Sequence, residues 1–109
     1  MIRRLLGTFR KKPPFGVNLC GFLTGELGLG EAARGLGGAL EQAGIPLAAN
    51  NVAFDIHRQG DHRWADRLTT KNPYRFNLIC LNSLELQWYA GHISPSYFND
   101  RYNIGGWYW

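Results

Sequence analysis

Apolar positions run along this chain in two rhythms. Val17, Leu19, Cys20, Phe22 and Leu23 form a nearly continuous run, the pattern of a parallel strand covered on both faces. From Leu29 the rhythm changes. Leu29, Ala33, Leu36, Leu40 and Ala43 follow at steps of four, three, four and three, which is one face of a helix. Gly44 supplies a left-handed cap and Pro46 prevents continuation. Between strand and helix lies TGELGLGEAAR, with Gly25, Gly28 and Gly30 placed where the backbone must turn sharply or approach something closely. Gly35, Gly37 and Gly38 lie inside the helix, each at about 1 kcal/mol relative to alanine. That cost predicts close packing of the helix against a sheet.

Weaker rhythms follow. Leu47 to Phe54 reads as a moderate strand, weakened by Asn50 and Asn51. Residues 55–74 are polar, rich in Arg and His, and without periodicity, which predicts a long functional or mobile loop. Phe76 to Asn82 (FNLICLN) is a second strong buried strand. Ser83 is expected to cap a short helix, SLELQWYAGH, with Glu85 in its first turn and Gly91 at its end. Pro95 marks a turn, and Tyr102 to Trp109 a last strand broken by Gly105 and Gly106. The order predicts an α/β fold, a Rossmann-like parallel sheet with flanking helices. The first strand should be central, with the second on one side and the third on the other. A domain that halts on an apolar strand leaves one face uncovered. The expectation is a partial Rossmann-like domain over 15–109, preceded by a basic lead-in or linker over 1–14.

Bulk properties narrow the classes. A length of 109 residues suits one small domain or part of a larger one. Hydrophobic content of 45% with 14% aromatic residues excludes a disordered chain. The net charge of +4 misleads as an average, because Arg3, Arg4, Arg10, Lys11 and Lys12 all precede Pro13. The remainder is close to neutral, so a globally basic nucleic-acid surface is not expected. No apolar run approaches the roughly 20 residues of a membrane span. Cys20 and Cys80 sit in strand-like runs and read as buried free thiols in a reducing, cytoplasmic compartment. Ile2, Leu5, Leu6 and Phe9 share a helical face in the lead-in. That segment suits a peripheral contact at the inner face of a membrane, or a solvated tail or linker.

The candidate chemistry centres on the glycine turn. A strand that feeds a glycine turn and a helix start gathers unpaired backbone N–H groups, a ready anion site. In an open α/β sheet that turn would lie at the crevice where ligands bind. Arg58, Arg63 and Arg67 are candidate phosphate or acceptor contacts in the long loop. Glu31 most simply stabilises the helix start, and Glu26 is a candidate for a sugar hydroxyl. His57 and His62 have no metal-ligand spacing and no matching Cys or carboxylate pattern, so neither a metal nor a cofactor is expected. Gly28, Gly30 and Ala33 fit G-x-G-x-x-G/A, and Asp55 follows further on, as in dinucleotide-binding oxidoreductases. Against that, Thr24 to Leu27 separate the strand from the first glycine. No Lys-Ser/Thr follows Gly30, so a Walker-type loop fails. A third alternative is a non-catalytic module that binds a partner through Trp107, Tyr108 and Trp109, aromatics that equally suit a core.

The runs GFLTGELGLGEAARGLGGALEQAGIP, FNLICLN and RYNIGGWYW together resemble the N-terminal half-domain of GT-B-fold glycosyltransferases of the family-4-like type. The resemblance covers nearly everything after the lead-in except the middle loop. It implies two Rossmann-like domains facing each other across a cleft, the N-terminal one holding a saccharide or lipid acceptor. Its first glycine loop approaches the diphosphate and sugar of a nucleotide-sugar donor. Carried over, Gly25, Glu26, Leu27, Gly28, Leu29 and Gly30 form that loop. The C-terminal domain, which grips the nucleotide and carries the glutamates of retaining members, has no counterpart in these residues. The resemblance therefore assigns no catalytic residue here. It implies an acceptor-side portion of a transferase that is inactive alone.

Overall fold

The computed structural model describes residues 12–25, 28–52 and 63–106. Four strands form one parallel sheet: β1 (Val17–Gly21), β2 (Leu47–Asn51), β3 (Phe76–Cys80) and β4 (Tyr102–Gly105). Their order is β2-β1-β3-β4. The first strand is central with its neighbours on either side, as the alternation of elements predicts. Two helices complete the α/β fold, α1 (Gly28–Gln42) and α2 (Ser83–His92).

The helices cover opposite faces. Ala33 of α1 packs with Leu19, Ala49 and Cys80 on one face. Tyr89 of α2 packs with Cys20 and Ile79 on the other. The connection from β1 to β2 and that from β3 to β4 travel in opposite directions. Crossovers of one hand must then lie on opposite faces. The sheet is thus doubly wound, with its switch point between β1 and β3. Leu29, in the first turn of α1, packs against the cluster of the opposite face. The helix therefore starts over the carboxyl edge of the sheet.

Both helix ends follow from local chemistry. Gly44 adopts φ +74°. Its N–H donates to the Glu41 carbonyl at 2.9 Å, and Ile45 N–H to Leu40 at 3.1 Å, the paired bonds of a Schellman stop. The cap of α2 is Asn82, and Ser83 is its first helical residue. The expected Ser83 cap is thus displaced by one position. Nor does Gly91 end the helix. The turn continues to His92, whose Nδ1–H donates to the Trp88 carbonyl at 2.7 Å while its ring stacks on the indole.

The strands are shorter than their apolar runs. β2 ends at Asn51, two residues after its last alanine, and β4 at Gly105. The expected extensions 53–54 and 107–109 lie outside the described residues, as does the lead-in over 1–11. The segment 63–74, expected to be part of a structureless loop, holds a 3₁₀ turn at Ala65–Arg67. Trp64 is buried there against Leu19 and Ala33, so this stretch supplies core.

Buried strands also carry asparagines that a purely apolar account omits. Asn18 and Asn77, neighbours in register on β1 and β3, are both 0% exposed. Asn18 Nδ2 donates to Asn77 Oδ1 at 2.8 Å and to the Tyr74 carbonyl at 2.9 Å, and its Oδ1 accepts from Tyr74 N–H. Asn77 Nδ2 donates to the Tyr97 carbonyl and to Asn103 Oδ1 on β4. These amides satisfy loop backbone that no helix or strand pairs. An unsatisfied buried polar group would cost about 1–3 kcal/mol.

Candidate functional site at the glycine turn

After β1 the chain reverses tightly. Leu23 N–H donates to the Gly21 carbonyl at 2.9 Å and Gly25 N–H to Phe22 at 3.2 Å. Thr24 N–H donates to Asn51 Oδ1 at 3.1 Å, and Asn51 Nδ2 returns a bond to Thr24 Oγ1 at 3.0 Å. The N–H groups of 23–25 are therefore consumed within the fold, and Gly25, the first residue of the expected loop, has none to offer. Its carbonyls point inward. Arg34 Nη1 donates to the carbonyls of Phe22 at 3.2 Å, Leu23 at 3.3 Å and Gly25 at 2.9 Å. Among the described residues of the turn, what remains for an anion is the first turn of α1. The N–H groups there have no intrahelical partner, and the helix dipole is positive.

The glycines divide by role. A Cβ on Gly30 would stand 2.5 Å from the Phe22 carbonyl and 2.7 Å from that of Gly25, so this position is glycine because the turn lies directly on the helix. Gly28 is exposed, and a Cβ there meets nothing within 4 Å. Gly25 is buried in the turn and Leu29 half-buried against the core. Glu26 and Leu27 lie outside the described residues, as do Arg58, His57 and His62.

Arg63 comes to the helix start. Its Nη2 donates to Glu31 Oε2 at 2.8 Å, and Arg34 Nη2 donates to the same oxygen at 3.0 Å. The hydrogen bond from Arg63, and then that from Arg34, holds the Glu31 carboxyl below its ordinary value. Two guanidinium groups and one carboxylate thus meet at the N-terminus of α1. Arg67 goes elsewhere. Its guanidinium lies 3.8 Å over the Trp64 ring and pairs with Glu41 near the far end of the helix. It is no part of this site.

Arg34 was not legible as a site residue, yet one signal pointed to it. It sits four residues after Gly30 and three before Gly37, on the buried side of the helix. A charged residue on a face of small residues implies a polar partner beneath it.

A cavity of about 290 Å³ opens beside the turn. Asn50 and Asn51 of β2, the 69–72 segment, the end of α2 and the following turn enclose it. Tyr97 Oη donates to Asn50 Oδ1 at 2.7 Å, and Asn50 Nδ2 holds the carbonyls of Thr69 and Lys71. Asn51 belongs to both places, because it lines the cavity and bonds Thr24.

Compared with protein-family models, curated proteins and solved structures, the chain matches none. Among the described residues no three His, Cys, Asp or Glu side chains gather as a metal-binding group. No helix among them is long and apolar enough to cross a membrane.

Proposed function

We propose that this chain is the acceptor-side portion of a GT-B-type glycosyltransferase that moves a sugar from a nucleotide donor to a saccharide or lipid acceptor. The start of α1 would face the donor diphosphate. The observation that carries the proposal is the seating of α1. Gly30 is flush against a turn locked by Arg34, so the free N–H groups of the first helical turn are fixed over the switch point.

Breaking the glycosidic bond to a nucleotide leaves negative charge on the departing diphosphate. Donors already in place stabilise that charge without reorganising. Arg34 supplies the rigidity and Arg63 an exposed guanidinium beside the donors. Glu31 alone would repel phosphate, but two guanidinium groups offset it. Holding the base and ribose and excluding water requires a second surface. The proposal therefore assigns transfer to this half together with a nucleotide-gripping domain. The lead-in 1–14 would rest on the inner face of a membrane. Deleting it should abolish salt-sensitive sedimentation with anionic vesicles, and unchanged sedimentation would make it a tail.

Dinucleotide binding fits less well. Its first glycine should close the strand, whereas β1 ends at Gly21 and Gly28 already opens α1. Calorimetric titration with UDP-glucose, GDP-mannose and NADH separates the two. Through the diphosphate contact alone, sugar nucleotides should bind this half weakly but saturably, and several-fold more weakly still in Arg63→Ala and at raised salt. Binding of NADH alone would transfer the site to the dinucleotide class.

A further inference from the structure

We propose that the cavity between β2, the 69–72 segment and the end of α2 is a binding site for a neutral, polyhydroxylated ligand the size of one sugar ring.

Its lining has an unusual chemistry. Ten residues enclose it, and none carries a formal charge. Seven of the ten are Asn, Ser or Thr, and their amides and hydroxyls stand beside an apolar surface to which Ile93 and Tyr89 contribute. Burial pushes the phenols of Tyr89 and Tyr97 well above their ordinary range, so the wall stays neutral at any physiological pH. A phosphate or carboxylate entering it would lose water without meeting a counter-charge. A wholly apolar guest would strand the amides and hydroxyls. A sugar ring satisfies both demands, with hydroxyls for the polar wall and a C–H face for the apolar patch.

Hydrogen-bonding capacity is left over for such a guest. Asn72 spends its Nδ2 on Asn77 Oδ1 and the Tyr97 carbonyl. Its Oδ1 takes no bond from another described residue. Asn51 exchanges one bond each way with Thr24 and keeps a second amide hydrogen and a second lone pair. Thr69 Oγ1 accepts from Lys71 N–H and retains its own hydrogen. The exposed Thr70 hydroxyl has no partner among the described residues. The remaining amides are fixed, because Asn50 is locked to Tyr97 and two carbonyls. The frame is thus rigid and its rim available. A volume of about 290 Å³ falls at the small end of ligand sites, which run from about 300 to 1,000 Å³. One ring fits, and an oligosaccharide does not.

The site stands whether or not the helix start takes a diphosphate, and its test uses no nucleotide. The isotope-labelled full chain would be titrated with glucose, galactose, mannose and N-acetylglucosamine up to about 100 mM. Glucose 6-phosphate and benzyl alcohol serve as charged and apolar contrasts. At least one neutral sugar should give saturable shifts at the Asn51 and Asn72 side-chain amides and at the backbone amides of 69–72. Thr70→Val should weaken that binding about threefold to tenfold, the loss of one hydrogen bond. Thr70→Trp, a change at an exposed position that leaves the fold in place, should block it. No saturable shift with any of the four sugars would overturn the assignment. So would shifts that survive Thr70→Trp unchanged, or stronger binding of either contrast compound.

Discussion

Removing the Arg34 guanidinium would strand the carbonyls of Leu23 and Gly25 in a buried turn, while that of Phe22 keeps the Gly25 N–H. Arg34→Met keeps much of the side-chain volume and loses every donor, so it isolates this effect. We expect a loss of about 2 kcal/mol, on the order of 1 kcal/mol for each stranded carbonyl. Urea unfolding measures it, and a loss below about 0.5 kcal/mol would remove Arg34 from its place as the lock of the turn. A second residue-scale prediction concerns the thiols. Burial pushes Cys20 up to about 12 and Cys80 to about 11 from an ordinary 9.0. The folded chain holds these protons at a pH where the unfolded chain has released them. Stability should therefore be level with respect to these groups below pH 9 and fall as pH rises from about 9 towards 12. Unfolding midpoints at pH 8 and pH 10.5 test the sign, and Cys20→Val should flatten the decline. A midpoint that rises with pH would contradict the burial of these thiols.

At the scale of elements, α1 shows what pattern reveals and where it stops. Its apolar spacing and its Gly44 stop are plain in the sequence, and so is the stretch of α2. The three internal glycines read alike, because spacing carries no information about what lies opposite each. The structure separates them. A Cβ on Gly37 would stand 2.6 Å from the Trp64 ring and 3.0 Å from Leu19, whereas Gly35 and Gly38 face open space. Gly35→Ala and Gly38→Ala should each stabilise by about 0.4–1 kcal/mol through a less flexible unfolded chain and better helix propensity. Gly37→Ala should destabilise. Thermal melts of the three variants decide it, and equal effects would mean Trp64 does not pack on this helix. The asparagines of the strands were illegible for a related reason. Asn50 and Asn51 looked like strand breakers because propensity counts a side chain alone. Their worth comes from distant partners, the carbonyls of Thr69 and Lys71 and the N–H of Thr24. Trp64 escaped notice likewise, as a lone aromatic in a polar segment whose partner, Gly37, is far away along the chain.

For the whole molecule, the sheet order could be inferred because alternating strands and helices leave few topologies once crossovers share a hand. That order alone places the glycine turn at the switch point. It does not say which of its groups are free. The fold spends the N–H groups of Leu23, Thr24 and Gly25 internally and, among the described residues of the turn, leaves the start of α1. The central claim is that this helix start faces the phosphates of a sugar nucleotide. Mapping backbone amide shifts while UDP-glucose is added to the chain tests it most directly, with Gly28→Val as the variant. Gly28 has no neighbour to disturb, so the variant should melt as the parent does. We expect the largest saturable shifts at 28–31, reduced several-fold in Gly28→Val. Saturable shifts centred elsewhere on the sheet, or binding indifferent to that variant, would contradict the claim.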